Sequence, residues 1–168
     1  MKKKLLPVSM AILAMTTTGA FAQNCAKEQH EAVVSGTVTT QSVSETMQVG
    51  TISMQMTTVE KGKVVFDETG ALIGQITGQS MDEFGRPVSF LNHVIVFEDG
   101  STIETNGDVA TLVDDYNQCD PRVEEVISDF WGTKTFKKST GTINADGRIN
   151  FCTGENQFEL SGTISIKG

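Results

Sequence analysis

Short stretches in which apolar and polar residues alternate recur along most of this chain, separated by glycine, asparagine and aspartate. Alternation with a period of two is typical of strands that bury one face. The last stretch is the clearest, because its apolar residues Phe158, Leu160, Ile164 and Ile166 share one face. Helical patterns are almost absent, so the sequence predicts an all-β barrel or sandwich.

Eight strands are predicted, and an even number of antiparallel up-and-down strands can close into a barrel without exposed edges. Asp99-Gly100 predicts a hairpin turn after the fourth strand, and Asp146-Gly147 predicts a bulge in the seventh. A short segment, residues 64–68, precedes the third strand, with three apolar residues followed by Asp67 and Glu68. The predicted strands are residues 31–40, 45–59, 71–82, 88–98, 101–113, 123–130, 139–151 and 157–167.

The fourth predicted strand is apolar on both faces, which indicates that both faces are covered. The barrel interior covers one face, and either the long loops or another subunit covers the other. The two faces carry Phe90, Val94 and Val96 on one side and Leu91, His93, Ile95 and Phe97 on the other.

The fifth predicted strand alternates in the simpler way, with one apolar and one polar face. Unbroken alternation places Ile103 and Val109 on the apolar face, and Glu104 and Asp108 on the polar face. The sequence therefore predicts that the Asp108 carboxylate points away from the core.

The first 22 residues have the three parts of a cleavable secretory signal. Lysines at positions 2–4 form a basic start, residues 5–15 are mostly apolar, and Ala20-Phe21-Ala22 is a small-x-small cleavage site. A membrane anchor, the alternative, needs about 20 apolar residues, more than this stretch provides. We expect a signal peptide over residues 1–22 and one periplasmic or secreted domain over residues 23–168.

Removal of the signal makes the chain more acidic. The basic count falls from 13 to 10 with the three signal lysines, and with 21 acidic side chains the formal charge becomes −11. A negative surface repels phosphate backbones, so the composition argues against nucleic acid as a partner. The simplest interpretation of the acidic composition is solubility, and attraction of a basic protein is the alternative.

Three cysteines follow the signal, and in an exported protein they are disulfide candidates. In an up-and-down barrel, the loop after strand five and the turn after strand seven lie at the same end. Cys119 and Cys152 occupy these two connections, whereas Cys25 precedes strand one, which starts at the opposite end. We therefore predict a Cys119–Cys152 disulfide, with Cys25 as the odd thiol.

Four segments stand out for their order and spacing: Val64-Val65-Phe66-Asp67-Glu68, Gly74-Gln75-Ile76-Thr77-Gly78, residues 90–102 and residues 132–141. Together they resemble the allene oxide cyclase-like barrels, the group that includes plant dirigent proteins. That family has a V-F-D-D stretch, a G-x-x-x-G strand, an F-x-F-x-F-x-D-G hairpin and a G-T-G-x-F segment. The resemblance covers Lys63 to Gly168, with Lys134 and Thr140 standing where the family has a glycine and an arginine.

The resemblance implies an eight-stranded up-and-down barrel, often trimeric in the family, with Phe136 plugging one end. It also implies an activity without a cofactor, in which the shape of an apolar pocket steers a cyclisation or coupling. Such a pocket holds its substrate in a near-attack conformation, and a few polar groups orient it.

Two positions are candidates for acid–base chemistry. His93 lies between apolar neighbours. It serves either as an acid or base in a pocket or as a partly buried histidine that forms a hydrogen bond to a neighbouring strand. Asp67 follows an apolar run, and the adjacent Glu68 points to the opposite face, so at most one of them enters a pocket. The expected ligand-binding residues are Met54, Phe90, His93 and Val94.

Motifs for metals and cofactors are not found in the sequence. The acidic loop at residues 114–120 lacks calcium-loop spacing, and the histidines and cysteines lack zinc-site spacing. Phosphate loops and serine-nucleophile elbows are absent as well. We therefore expect neither a bound metal nor a cofactor.

Two functions remain open at this point. The first is an exported barrel that binds a hydrophobic small molecule and, by the family resemblance, steers its reaction. The second is a non-catalytic envelope interaction protein or inhibitor, whose acidic surface meets a basic partner. A homotrimer or homodimer fits either function.

Overall fold

The computed structural model describes residues 29–114 and 119–167, most of which lie in strands and the turns between them. The predicted signal peptide and Cys25 lie outside these residues. The strand segments are β1 (Gln29–Ser42), β2 (Met47–Thr58), β3 (Val64–Met81), β4 (Pro87–Phe97), β5 (Thr102–Thr105), β6 (Asp108–Leu112), β7 (Arg122–Ile127), β8 (Phe130–Gly132), β9 (Thr140–Ile149) and β10 (Glu155–Lys167), with a 3₁₀ turn at Lys134–Phe136.

These segments close into an eight-stranded antiparallel barrel, which confirms the predicted fold. β1 pairs with both β2 and β10, and β3 pairs with both β2 and β4. The fifth barrel strand consists of β5 followed by β6, both of which pair with β4. The sixth consists of β7, which pairs with β6, followed by β8, which pairs with β5. β9 closes the ring by pairing with β7 and β10.

The third strand is longer than predicted. Residues 64–68 are not a separate segment but the beginning of β3, which continues to Met81. The hairpin turn at Asp99-Gly100 is confirmed, since the N–H of Phe97 donates to the carbonyl of Ser101 at 2.9 Å.

The predicted bulge at Asp146-Gly147 is wrong. β9 stays in register with β10 through this point, where Asp146 pairs with Glu159 and Gly147 with Phe158. The strand breaks lie instead in the fifth and sixth barrel strands.

These two breaks lie side by side. β5 ends at Thr105 and β6 begins at Asp108, while β7 ends at Ile127 and β8 begins at Phe130. The N–H of Asn106 donates to the carbonyl of Asp129 at 3.2 Å, which joins the two breaks. Each break shifts the alternation by one residue, as β-bulges do, and bulges of this kind re-aim side chains beside functional sites.

The interior is mainly apolar, and its aromatic residues gather where β4 ends. The Phe66 ring packs edge-on against Phe97 and Phe136, with centroids 4.9 and 5.0 Å away. Phe136, on the 3₁₀ turn, is fully buried, at the position where the resemblance expects a plug. Met54 and Met56 are buried too, so soft apolar side chains continue around the barrel wall.

The predicted Cys119–Cys152 disulfide is confirmed, with the two Cα atoms 5.4 Å apart. It ties the connection between β6 and β7 to the turn between β9 and β10. The N–H of Phe151 also donates to the carbonyl of Cys119 at 2.7 Å, so the backbone supports the same junction. Within residues 29–114 and 119–167, no helix has the length and apolar character needed to cross a membrane.

Candidate functional site

Three ionisable side chains meet inside the barrel: His93 from β4, Asp108 from β6 and Glu125 from β7. The Nδ1 atom of His93 lies 2.8 Å from Oδ2 of Asp108 and 3.6 Å from Oε1 of Glu125. The three residues are only 4%, 2% and 6% exposed, respectively. We call these three residues the interior cluster.

Thr105 holds two members of the interior cluster in place. Its hydroxyl donates to Oδ2 of Asp108 and accepts a hydrogen bond from the backbone N–H of His93 at 2.8 Å. Thr105 is itself buried. The imidazole and the Asp108 carboxylate are therefore fixed relative to each other by a side chain from a third segment, β5.

The break in the fifth barrel strand is what brings Asp108 inside. Ile103 and Thr105 point inward, and strict alternation would send Asp108 outward, as the sequence predicted. Gly107 takes a φ of +73°, and its N–H donates to the side-chain oxygen of Asn92 at 2.9 Å. The extra residue reverses the alternation, so Asp108 is buried and Val109 is exposed. The predicted outward orientation of Asp108 is therefore wrong.

Two oxygens of the interior cluster lack a hydrogen-bond partner among the described residues, Oδ1 of Asp108 and Oε1 of Glu125. Buried polar atoms in native proteins nearly always have a partner, because an unpaired buried acceptor costs about 1–3 kcal/mol. The interior cluster thus has acceptor capacity for a group that can donate a proton or carry positive charge.

Burial shapes the charges of this cluster. It raises the pKa of the Glu125 carboxyl, because the charged form loses its hydration, and the attraction of His93 only partly opposes this. Burial lowers the pKa of His93, but its hydrogen bond to Asp108 and the charges of Glu125 and Asp108 outweigh this effect and raise it. Perturbed ionisable groups gathered in one place are typical of functional sites.

A second polar group borders the interior cluster across Gly74. A Cβ atom at Gly74 would lie 2.9 Å from Nε2 of Gln48 and 3.0 Å from Cδ2 of His93, so both side chains reach this glycine. Gln48 accepts a hydrogen bond from the hydroxyl of Thr40 at 2.8 Å, and Asn156 donates to that hydroxyl at 3.0 Å. One region of the interior is therefore polar, while the region around Phe136 is apolar.

The residues predicted to bind a ligand do not share one surface. Met54 and His93 point inward and are buried, whereas Phe90 and Val94 are 37% and 46% exposed on the outside. Neighbouring residues on a strand point to opposite faces, so His93 and Val94 cannot line the same cavity. The predicted common lining is therefore not present: Met54 and His93 share only the interior face, and Met54 pairs with Glu68, six residues along β3 from Gly74, the partner of His93.

The second acid–base candidate, Asp67, lies away from the interior cluster. It is exposed, and its Oδ2 atom accepts a hydrogen bond from Gln55 at 3.2 Å. It precedes Gly74, the β3 partner of His93, by seven residues, which corresponds to about 20 Å along a strand. Two open grooves on the outer surface, on either side of Thr37 and Thr39, also contain no cluster residue.

Sequence reasoning missed Asp108 and Glu125, although each left a signal. Asn106-Gly107 inside a predicted strand is a bulge signal, and it makes the orientation of the next residue ambiguous. In the Glu124-Glu125 pair, alternation forces one of the two acids inward, and the flanking Val123 and Ile127 select Glu125.

No protein-family model matches the chain, and no curated protein does. Among solved structures, the chain is similar to two pterocarpan synthase dirigent proteins. The first is 13% identical, with 84% of this chain and 93% of that chain covered and a TM-score of 0.41. The second is 16% identical, with 84% and 96% covered and a TM-score of 0.33.

Proposed function

We propose that the protein is an exported barrel that binds a hydrophobic small molecule in its interior, with the polar group of that molecule against the interior cluster. The observation that carries this proposal is the pair of buried, unpartnered oxygens, Oδ1 of Asp108 and Oε1 of Glu125, inside an apolar barrel. Both are acceptors, so they favour a ligand whose polar group donates, such as a hydroxyl or an amine.

The surroundings of the cluster support an apolar ligand body. Leu91 and Ile95 flank His93 on the inner face of β4, and the buried Ala110 and Val123 are the next inward residues to Asp108 on β6 and to Glu125 on β7. Small-molecule sites in proteins are mostly apolar, with a few polar groups that fix orientation.

The mechanism we propose is one of positioning. The apolar wall excludes water, and the interior cluster holds one end of the ligand, so that the rest adopts a single conformation. Restriction to a near-attack conformation accelerates a cyclisation or coupling without a covalent step by the protein. Export, and with it a periplasmic or secreted location, is part of the proposal and rests on residues 1–22.

The test uses N-phenyl-1-naphthylamine, a neutral apolar probe with one N–H donor, whose fluorescence rises in apolar surroundings. We expect saturable binding of one probe per chain. His93→Phe should weaken it about tenfold, because it removes the imidazole that holds the Asp108 carboxylate in place, and with it one hydrogen bond of about 1.4 kcal/mol to the probe. Val94→Phe is the matched control, because it adds the same side chain one residue away on the outer face.

Probe binding within twofold of wild type in Val94→Phe would agree with an interior site. Equal weakening in both variants would place the probe on the outer surface and refute the proposal, as would the absence of saturable binding. Circular dichroism of both variants establishes that the barrel is folded in each.

A second function, interaction with another protein, is favoured by the outer surface. Exposed apolar side chains lie next to one another there: Ile73 pairs with Val94, and Val109 pairs with both Phe90 and Val126. They are between 37% and 49% exposed. We call Ile73, Phe90, Val94, Val96, Val109 and Val126 the outer apolar patch.

A further inference from the structure

We propose that His93, Asp108 and Glu125 form a binding site for a divalent first-row transition-metal ion such as Zn²⁺. The inference goes beyond the proposed function and does not depend on it. It uses the same two oxygens, so with a metal bound the polar group of a small molecule would meet the open coordination position of the ion instead of these oxygens.

The positions of the three ligand atoms fit such an ion. Zinc binds imidazole nitrogen and carboxylate oxygen at about 2.0–2.2 Å, which places neighbouring ligand atoms about 3–4 Å apart. Nδ1 of His93 lies 2.8 Å from Oδ2 of Asp108 and 3.6 Å from Oε1 of Glu125. All three residues offer ligand atoms within 4.8 Å of one another, so small side-chain rotations complete the site.

An ion also resolves the unpaired oxygens. Oδ1 of Asp108 and Oε1 of Glu125 have no hydrogen-bond partner in the described part of the chain. A carboxylate taken out of water is costly unless it is paired or coordinates a metal. One divalent ion balances the charges of the two carboxylates and leaves the imidazole neutral, as metal binding requires.

Outer contacts of the kind that metal sites need are already in place. Metal ligands are normally oriented by hydrogen bonds from a second layer of residues. Here the Thr105 hydroxyl donates to Oδ2 of Asp108 and accepts from the backbone N–H of His93. The strand break that turns Asp108 inward therefore also places Thr105, its orienting partner, on the same side.

The donor set indicates the class of ion. One imidazole and two carboxylates suit zinc, manganese or iron, whereas calcium and magnesium prefer oxygen ligands alone. Three protein ligands leave a coordination position open, which is the arrangement of reactive rather than structural zinc sites. That position would take water or the donor atom of a bound molecule.

The experiment begins with unfolded protein, because the ligands are buried and metal sites assemble together with the fold. The full chain without its signal is unfolded in the presence of EDTA, freed of chelator, and refolded with or without Zn²⁺. Inductively coupled plasma mass spectrometry measures the number of metal ions per chain. Competition with a chromogenic chelator measures the affinity for Zn²⁺. We expect one Zn²⁺ per chain, with Mg²⁺ and Ca²⁺ failing to compete at equal concentration.

Near-isosteric variants test the ligands. Glu125→Gln and Asp108→Asn should each lower Zn²⁺ affinity at least about 100-fold, since even the loss of an outer-layer partner costs 10–100-fold. Glu124→Gln is the matched control: Glu124 is the adjacent acid, is exposed, and lies 2.9 Å from the Arg122 guanidinium. We expect the Glu124→Gln variant to bind Zn²⁺ with the affinity of the wild-type protein.

A measurement on the wild-type protein guards against variants that fail to refold. Co²⁺ added in place of Zn²⁺ should give the intense visible absorption of a site with low coordination number, and should shift the His93 imidazole resonances. Zn²⁺ binding that persists in both ligand variants would overturn the proposal. So would a refolded wild-type chain that holds no metal, or a pale Co²⁺ spectrum like that of the hydrated ion. Probe binding without metal binding would leave the proposed function standing and refute only this site.

Discussion

At the scale of single residues, the interior cluster costs stability. Two buried carboxylates and a histidine occupy positions that Leu or Met would fill at lower cost, since buried charges are favourable only when fully compensated. The neighbours on the same faces, such as Ile95 and Ala110, show that the barrel accepts apolar residues there. The cluster is therefore more readily explained by binding or chemistry than by folding.

Thr105 provides a direct measure of how well the cluster is held. We expect Thr105→Val to lower the free energy of unfolding by about 1–3 kcal/mol in chelator-treated protein, because it leaves the His93 N–H without its acceptor. Urea denaturation measures the change. Thr105→Ser keeps the hydroxyl and should lose less than about 1 kcal/mol, the contribution of one buried methyl group. Equal stability of Val and Ser variants would contradict the role assigned to this hydroxyl.

At the scale of elements, the two strand breaks decide what the interior contains. Without the break at residues 106–107, Asp108 would face solvent and Val109 would enter the core, which leaves His93 without its carboxylate partner. The paired break at residues 128–129 turns Phe130 inward after Ile127. The first break therefore places Asp108 in the interior cluster, and the second places Phe130 in the core of an otherwise regular barrel.

Gly107 is the residue on which the first break depends. At its φ of +73°, a side chain costs about 1–2 kcal/mol, and no atom lies within 4 Å of an added Cβ, so the cost is purely conformational. We expect Gly107→Ala to lose this stability and also to weaken metal and probe binding. Gly62→Ala is the control, because its φ of +57° and open surroundings are similar, but it lies in the turn between β2 and β3. Gly62→Ala should lower stability by a similar amount and leave metal and probe binding unchanged. Weakened binding in both variants would contradict a specific role for the break at residues 106–107.

The elements that the sequence predicted are those encoded locally. Period-two alternation identified all eight barrel strands, and strand parity identified the Cys119–Cys152 pair, because both follow from the direction of a regular strand. The prediction that failed was the orientation of side chains after residue 105 in the fifth barrel strand, where the inward–outward alternation shifts by one residue. Asn106-Gly107 and Asp146-Gly147 look alike in sequence, yet only the first breaks its strand, since neighbouring strands decide which glycine stays in register. The interior cluster joins three strands across such a break, so local patterns can mark its members singly but cannot show that they meet.

At the scale of the whole molecule, the outer apolar patch is the unusual feature. It extends over β3, β4, β6 and β7, on a chain whose composition is otherwise strongly acidic. Contiguous exposed apolar surface on a soluble protein usually marks an interface. We propose that a second copy of the chain covers it, as a homotrimer or homodimer, because the acidic surface around it needs a patch free of charge for two like copies to meet.

Oligomeric state tests this proposal. We expect the wild-type protein to sediment as more than one copy in analytical ultracentrifugation, and Val94→Glu to sediment as a monomer, because a charge at the centre of the patch would be buried unpaired. Thr163→Glu adds the same charge on exposed β10 and should leave the assembly intact. The proposal would be refuted if the wild-type protein were a monomer, or if Val94→Glu and Thr163→Glu dissociated the assembly equally.

The pairing of β1 with β10 has a consequence for the order of events in folding. These are the first and last strands described, and their ladder runs from Gln29 opposite Lys167 to Gln41 opposite Glu155. Neighbouring hairpins can form as soon as their residues are available, but this seam needs both β1 and β10, and pairings between residues so distant in sequence form slowly. We expect the sheet to stay open until the seam closes. In such an open sheet His93, Asp108 and Glu125 would face water, so that a dissolved ion would reach them most easily before closure.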